Sequence, residues 1–182
     1  HNPPPRKGWI MVRSGKPRAV VRTSNKYVYV QIVEAPPSGD VVRASASSKE
    51  LAKLGWKGGT GNLPSAYLTG ALAGRRALAK GVKEAILDIG LRPSTKGSRL
   101  YAALKGLTDA GLKVPHSEEI LPSTDRLGGA HIAEYAKILL SESSDVYKKR
   151  FSGYLSKGLK PEELTGHFEQ VRGQIQSLKV QD

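Results

Sequence analysis

Three histidines, His116, His131 and His167, fall on a loop and two helical stretches with no His-x-x-x-His or His-Glu-x-x-His spacing, so they read as ordinary surface or partly buried side chains rather than metal ligands. Glu84 and Asp88 stand at even spacing in a strand-like run, which puts both carboxylates on one face. Such a pair could hold a divalent metal for phosphodiester cleavage, as in an RNA-processing nuclease. That chemistry needs several converging carboxylates, and only Glu34, Asp40 and Glu50 accompany the pair in the basic part of the chain. Structural capping or pairing with a nearby arginine is the preferred reading. No serine sits in Gly-x-Ser-x-Gly. The run G-W-K-G-G-T-G-N-L-P at 55–64 lacks both the Gly-Lys-Ser/Thr of a phosphate loop and the spacing of a dinucleotide site. Its backbone N–H groups and Lys57 could still cradle a phosphate; a plain flexible connection is an equal reading. No catalytic constellation emerges. The remaining chemistry is cations interleaved with rings, the pattern that meets phosphates and bases.

Those cations and rings lie on strands. K-P-R-A-V-V-R-T-S-N-K-Y-V-Y-V-Q-I-V-E-A, a Pro-Pro-Ser-Gly-Asp break and V-V-R-A-S-A-S-S read as three short strands at about 18–24, 26–35 and 40–48. A turn at Ser24-Asn25 would set Thr23 opposite Lys26 and Arg22 opposite Tyr27. Alternation then gives an apolar face of Ala19, Val21, Val28, Val30, Ile32, Val42, Ala44 and Ala46. The other face carries Arg18, Arg22, Tyr27, Tyr29, Gln31, Arg43, Ser45 and Ser47. Its tyrosines either stack on bases or pack across the strands on arginine stems.

Around this sheet, residues 1–17 read as an extended, proline-rich arm. Arg6, Lys7, Arg13 and Lys16 there can neutralise phosphates, and Trp9 is either an anchor or a stacker. Residues 63–81 form the clearest helix, with Asn62 as N-cap and Gly81 as terminator. A seam of Ala66, Gly70, Ala73, Gly74 and Ala77 would lay it close to the sheet, leaving Ser65, Thr69, Arg76 and Lys80 on the wet side. A strand over 83–89, a loop with Arg92 and Lys96, and a helix from Arg99 to about Ala110 follow. Residues 114–125 read as loop, 129–140 as a short helix and 141–144 as a linker. Lys148, Lys149 and Arg150 form a basic cluster. Pro161–Leu178 is amphipathic, with Leu164, Phe168, Val171, Ile175 and Leu178 on one stripe, free to fold back or to dock on a partner protein. The fold expected is α/β: three antiparallel N-terminal strands, a helix-strand-helix unit, a basic arm at 1–17, a main domain at 18–140 and a helical extension at 141–182.

Charge is segregated. Of 29 Lys and Arg against 16 Asp and Glu, residues 1–60 hold eleven basic and three acidic side chains, 61–105 eight and two, and 106–182 ten and eleven. The whole excess thus sits with the arginine-tyrosine face, the electrostatic footprint of a polyanion. A membrane surface would call for a basic amphipathic helix, whereas the basic half is strands and Gly-rich loops, so nucleic acid is favoured. No apolar run reaches the roughly 18 residues of a membrane span. With no cysteine there is no disulfide or thiolate site, and a cytoplasmic protein is expected.

The strings S-G-K-P-R at 14–18, S-N-K-Y-V-Y-V-Q at 24–31, A-S-A-S-S at 44–48, G-W-K-G at 55–58, P-S-A-Y-L-T-G at 64–70, A-I-L-D-I-G-L at 85–91, T-K-G-S-R-L at 95–100, A-L-K-G-L-T-D-A-G-L at 103–112 and G-A-H-I-A-E-Y-A at 129–136 resemble, in collinear order, the archaeal-type ribosomal protein L-eighteen family. The resemblance implies a non-catalytic large-subunit protein without cofactor or small-molecule substrate. It would bind 5S ribosomal RNA and help attach it to large-subunit ribosomal RNA in the central protuberance, beside ribosomal protein L-five. Matching positions for RNA contact are Lys16, Arg18, Lys26, Tyr27, Tyr29, Gln31, Lys57, Lys96 and Arg99; Arg6, Lys7, Arg13, Arg22, Arg43, Trp56 and Arg92 join them on charge or ring chemistry. Family arms carry a denser Arg/Lys run than this one, and the tail beyond about 145 matches only loosely.

Overall fold

The computed structural model describes residues 16–35, 39–88, 98–115 and 127–178. Three strands, β1 (Arg18–Thr23), β2 (Val28–Glu34) and β3 (Val41–Ser47), form an antiparallel meander, and a short β4 (Ile86–Asp88) adds in parallel to β1, giving the order β3-β2-β1-β4. Between β3 and β4 the chain makes a 3-10 helix (Ser48–Leu54) and the long helix α1 (Leu63–Ala79). Then come α2 (Ser98–Asp109), α3 (Ala130–Glu142), α4 (Ser144–Arg150), α5 (Ser152–Ser156) and α6 (Leu164–Gln176). The mixed α/β class matches the sequence reading.

Register differs from the expected one. Thr23 pairs with Val28 and Arg22 with Tyr29, because Ser24–Tyr27 forms a four-residue turn in which the Ser24 N–H donates to the Tyr27 carbonyl and the Tyr27 N–H to Ser24 Oγ. The partners move by two residues, so every side chain keeps its face; a shift of one would have inverted them. Val42 is a true correction. Ile32 pairs with Ala44 but Val33 with Val42, leaving Arg43 as the extra residue of a bulge. The bulge turns Val42 out of the core to 52% exposure.

Ala19, Val21, Val28, Val30, Ile32, Ala44 and Ala46 are buried in one core with α1 and α2. At Gly70 and Gly74 the small-residue seam of α1 serves α2: these glycines face Ala103 and Leu107 of α2 and Ala110 just past its end, and Gly106 of α2 faces the Tyr67 carbonyl. Ser65 and Thr69, expected on the wet side, are fully buried; each hydroxyl is satisfied within the helix, donating to the Asn62 and Ser65 carbonyls. The stretch 141–144 is no open linker, since α3 runs through Glu142 and the Ser143 hydroxyl accepts from the Val146 N–H to start α4. The C-terminal helix folds back: Leu164, Phe168, Val171 and Ile175 join the core beside Trp56 and Tyr67. Among the described residues no helix is long and apolar enough to cross a membrane.

Candidate nucleic-acid interface

Helices pack on the apolar side of the sheet, and its opposite side keeps Arg22 and Gln31 exposed. That outer side is electrically divided along its length. At the end away from the hairpin the cations are matched. Arg18 lies 3.3 Å from Asp88 and 3.2 Å from Asp40, Lys16 lies 2.9 Å from Glu84, and Arg43 lies 3.6 Å from Glu34 across the bulge. The Lys16 ammonium, through its hydrogen bond and its charge, holds the Glu84 carboxyl below the usual carboxylate range. The carboxylates weighed as a metal pair, Glu84 and Asp88, are therefore engaged by lysine and arginine, the pairing preferred from sequence.

At the hairpin end the cations are open. Arg22, Lys26 and Lys49 are exposed, and no Asp or Glu among the described residues lies within 4 Å of their charged groups. Two rings stand among them. Tyr27 and Tyr29 meet edge to face with centroids 6.4 Å apart, and the Lys49 ammonium sits 4.6 Å from the first and 5.6 Å from the second. Arg22 lies directly across from Tyr29. The tyrosines thus pack on each other and on a lysine. Lys49 was not among the residues singled out from sequence. Its signal was present in Ser47-Ser48-Lys49-Glu50, a capping box that starts the 3-10 helix, in which the Ser47 hydroxyl accepts from the Lys49 N–H and Glu50 accepts from the Ser47 N–H.

Trp56 requires correction as a base-stacking residue. Its indole is 2% exposed, donates to the Gly59 carbonyl at 3.0 Å, stacks on His167 and meets Phe168 edge-on. A ring sealed in this way offers no face to a base. The glycine loop is built around it, since a Cβ on Gly58 would strike the indole at 2.3 Å. Lys57 is exposed, while its N–H donates to His167 Nε2 at 2.9 Å. Arg99 is half-buried and donates to the Ser24 carbonyl at 2.5 Å, tying α2 to the hairpin turn. Gln31 stands in mid-face opposite Val20 and Ser45. Arg6, Lys7, Arg13, Arg92 and Lys96 lie outside the described residues, as do Trp9 and His116. The described residues contain no cluster of three or more His, Asp or Glu able to hold a metal.

A sheet covered by helices on one side, with rings and open cations at one end of the other, defines a module suited to a polyanion. Comparison with known sequences makes the class specific. The model for the family described as "Ribosomal large subunit proteins 60S L5, and 50S L18" matches residues 11–84 and 79–117. Proteins named "Large ribosomal subunit protein uL18" from Caldivirga maquilingensis, Aeropyrum pernix and Thermofilum pendens are 57%, 55% and 53% identical to it, over 91% of this chain in each case and 81%, 78% and 85% of their own lengths. The chain belongs to this family of large-subunit ribosomal proteins.

Proposed function

We propose that the chain binds 5S ribosomal RNA through the hairpin end of its sheet and, with contacts to large-subunit ribosomal RNA and to a neighbouring L-five-type protein, helps fasten that RNA in the central protuberance of the cytoplasmic ribosome. Its role is structural and not catalytic. The observation that supports the RNA-binding face best is the division of the outer sheet side: the cations near Asp40, Glu84 and Asp88 are matched, whereas Arg22, Lys26 and Lys49 surround two tyrosines with their charge open. Open cations release counterions from the phosphates they neutralise, each phosphate adding about 0.7–0.9 to the steepness of a log–log salt plot. Selection among folded RNAs then comes from shape and unpaired bases rather than from a duplex code.

The test is titration of the purified full chain with 5S ribosomal RNA and with a transfer RNA of similar charge, across 50–200 mM salt. Tight, salt-dependent binding that prefers the 5S RNA is expected. Equal affinity for both RNAs would overturn the 5S assignment.

A further inference from the structure

The Ser24–Tyr27 turn is held from outside its own hairpin at three points. Thr60 donates its hydroxyl to the Lys26 carbonyl at 2.7 Å. Arg99 donates to the Ser24 carbonyl at 2.5 Å and reaches the Gly61 carbonyl at 3.5 Å. Gly61 lies against the turn so closely that a Cβ on it would stand 2.8 Å from the Asn25 carbonyl oxygen. These groups come from two distant segments, the glycine loop and the first turn of α2. Thr60 touches only the backbone of Lys26, so the clasp restrains the turn without neutralising its charge.

We propose that Thr60, Gly61 and Arg99 are positioning residues for RNA recognition, fixing the turn that carries Lys26 and Tyr27 in its binding geometry before RNA arrives. This rests on the reading of the hairpin end as the RNA interface. An exposed turn left to itself is mobile, and ordering it on binding weakens affinity by about tenfold for each residue immobilised. The clasp removes that cost in advance.

The experiment uses the full chain and 5S ribosomal RNA at several salt concentrations. Thr60→Val keeps size and charge but deletes the hydroxyl. It is expected to weaken binding about tenfold, to leave the salt slope unchanged and to speed hydrogen exchange at the Lys26 and Tyr27 amides, with Thr60→Ser restoring all three. Gly61→Ala, which presses on the Asn25 carbonyl while leaving the Thr60 hydroxyl in place, should act in the same direction. Wild-type affinity in a folded Thr60→Val protein whose turn amides exchange faster would overturn the proposal, as would a loss that Thr60→Ser fails to rescue. Arg22→Ala with Lys26→Ala separates the two readings. If that double variant binds as wild type, the interface assignment itself fails; if it weakens binding and Thr60→Val does not, only the clasp falls.

Discussion

Gly70 of α1 lies so near Ala103 of α2 that a Cβ on the glycine would come within 2.0 Å of the Ala103 carbonyl oxygen. The contact is backbone against backbone, and Gly106 makes the reciprocal approach, since a Cβ on it would fall 2.1 Å from the Tyr67 carbonyl oxygen. Neither helix can yield by a rotamer change.

Gly70→Ala should therefore destabilise the fold despite the gain of about 1 kcal/mol that alanine brings to a helix interior. Overpacking of a well-filled core costs about 1–3 kcal/mol, and main-chain atoms give least, so a net loss of at least about 1 kcal/mol is expected in urea unfolding. Gly166→Ala is the control. It lies within α6 with nothing inside 4 Å of its would-be Cβ, and it should raise stability by up to about 1 kcal/mol. Equal midpoints for the two variants would contradict the close-packing account.

The divided sheet face makes a second forecast. Arg22→Ala should lower the salt slope of 5S RNA binding by about 0.7–0.9, one phosphate's worth. Arg18→Ala should change it by much less, because that side chain is only 16% exposed and already lies between Asp88 and Asp40. Its cost should appear in unfolding instead, since the Asp88 carboxylate, 20% exposed, would lose its arginine. A larger slope change for Arg18→Ala than for Arg22→Ala would reverse the assignment of the two ends.

A third forecast concerns pH. His167 accepts a hydrogen bond from the Lys57 N–H, which requires an unprotonated Nε2, and its ring lies against Trp56. Burial, with the Lys57 charge adding to it, pulls its pKa below the ordinary histidine value. The unfolded chain therefore binds this proton more tightly than the folded one. The associated stability is complete above about pH 6.5 and is lost as pH falls through the unfolded value toward the folded one. His167→Gln can supply an acceptor that does not titrate, so wild-type stability should fall relative to this variant as pH drops below about 6.5. Parallel stability curves for the two proteins would show that His167 carries no such linkage.

Much of this is legible in the sequence alone. Strict alternation from Arg18 to Ile32 declared both faces of the sheet, and because a turn of four residues instead of two slides the partners by an even number, the wrong register still gave the right faces. The bulge at Arg43 was not legible, since V-V-R-A-S-A alternates without a break and only pairing with β2 shows the extra residue. Ser65 and Thr69 looked wet because a buried hydroxyl that bonds the carbonyl three or four residues back leaves no mark in the sequence. Small residues announced a close approach by α1 to the sheet, whereas the tight backbone contacts at Gly70 and Gly74 are with α2 and the turn that follows it. Composition likewise counts Lys16, Arg18 and Arg43 as open charge, while folding brings Glu84, Asp88, Asp40 and Glu34 to them.

The amphipathic C-terminal helix supplies the last forecast. Read from sequence, its stripe could fold back on the domain or dock on a partner protein, and only in the second case would a chain ending at residue 158 keep RNA binding and lose assembly. The structure spends that stripe internally. Leu164, Phe168, Val171 and Ile175 are each no more than 3% exposed, and Phe168 meets both Trp56 and Tyr67. Asp109 fastens the same helix from the other side, accepting a 2.6 Å bond from Tyr67 with Arg172 3.9 Å away. Burying four such side chains is worth about 1.5–3 kcal/mol each, a total comparable to the whole stability of a typical domain, about 5–15 kcal/mol. Ending the chain at residue 158 should therefore abolish cooperative unfolding and expose Trp56, seen as a red-shifted fluorescence maximum, with RNA binding lost as a consequence. A truncated chain that still melts in one sharp transition and binds 5S RNA normally would mean that α6 is dispensable to the core and available to a partner after all.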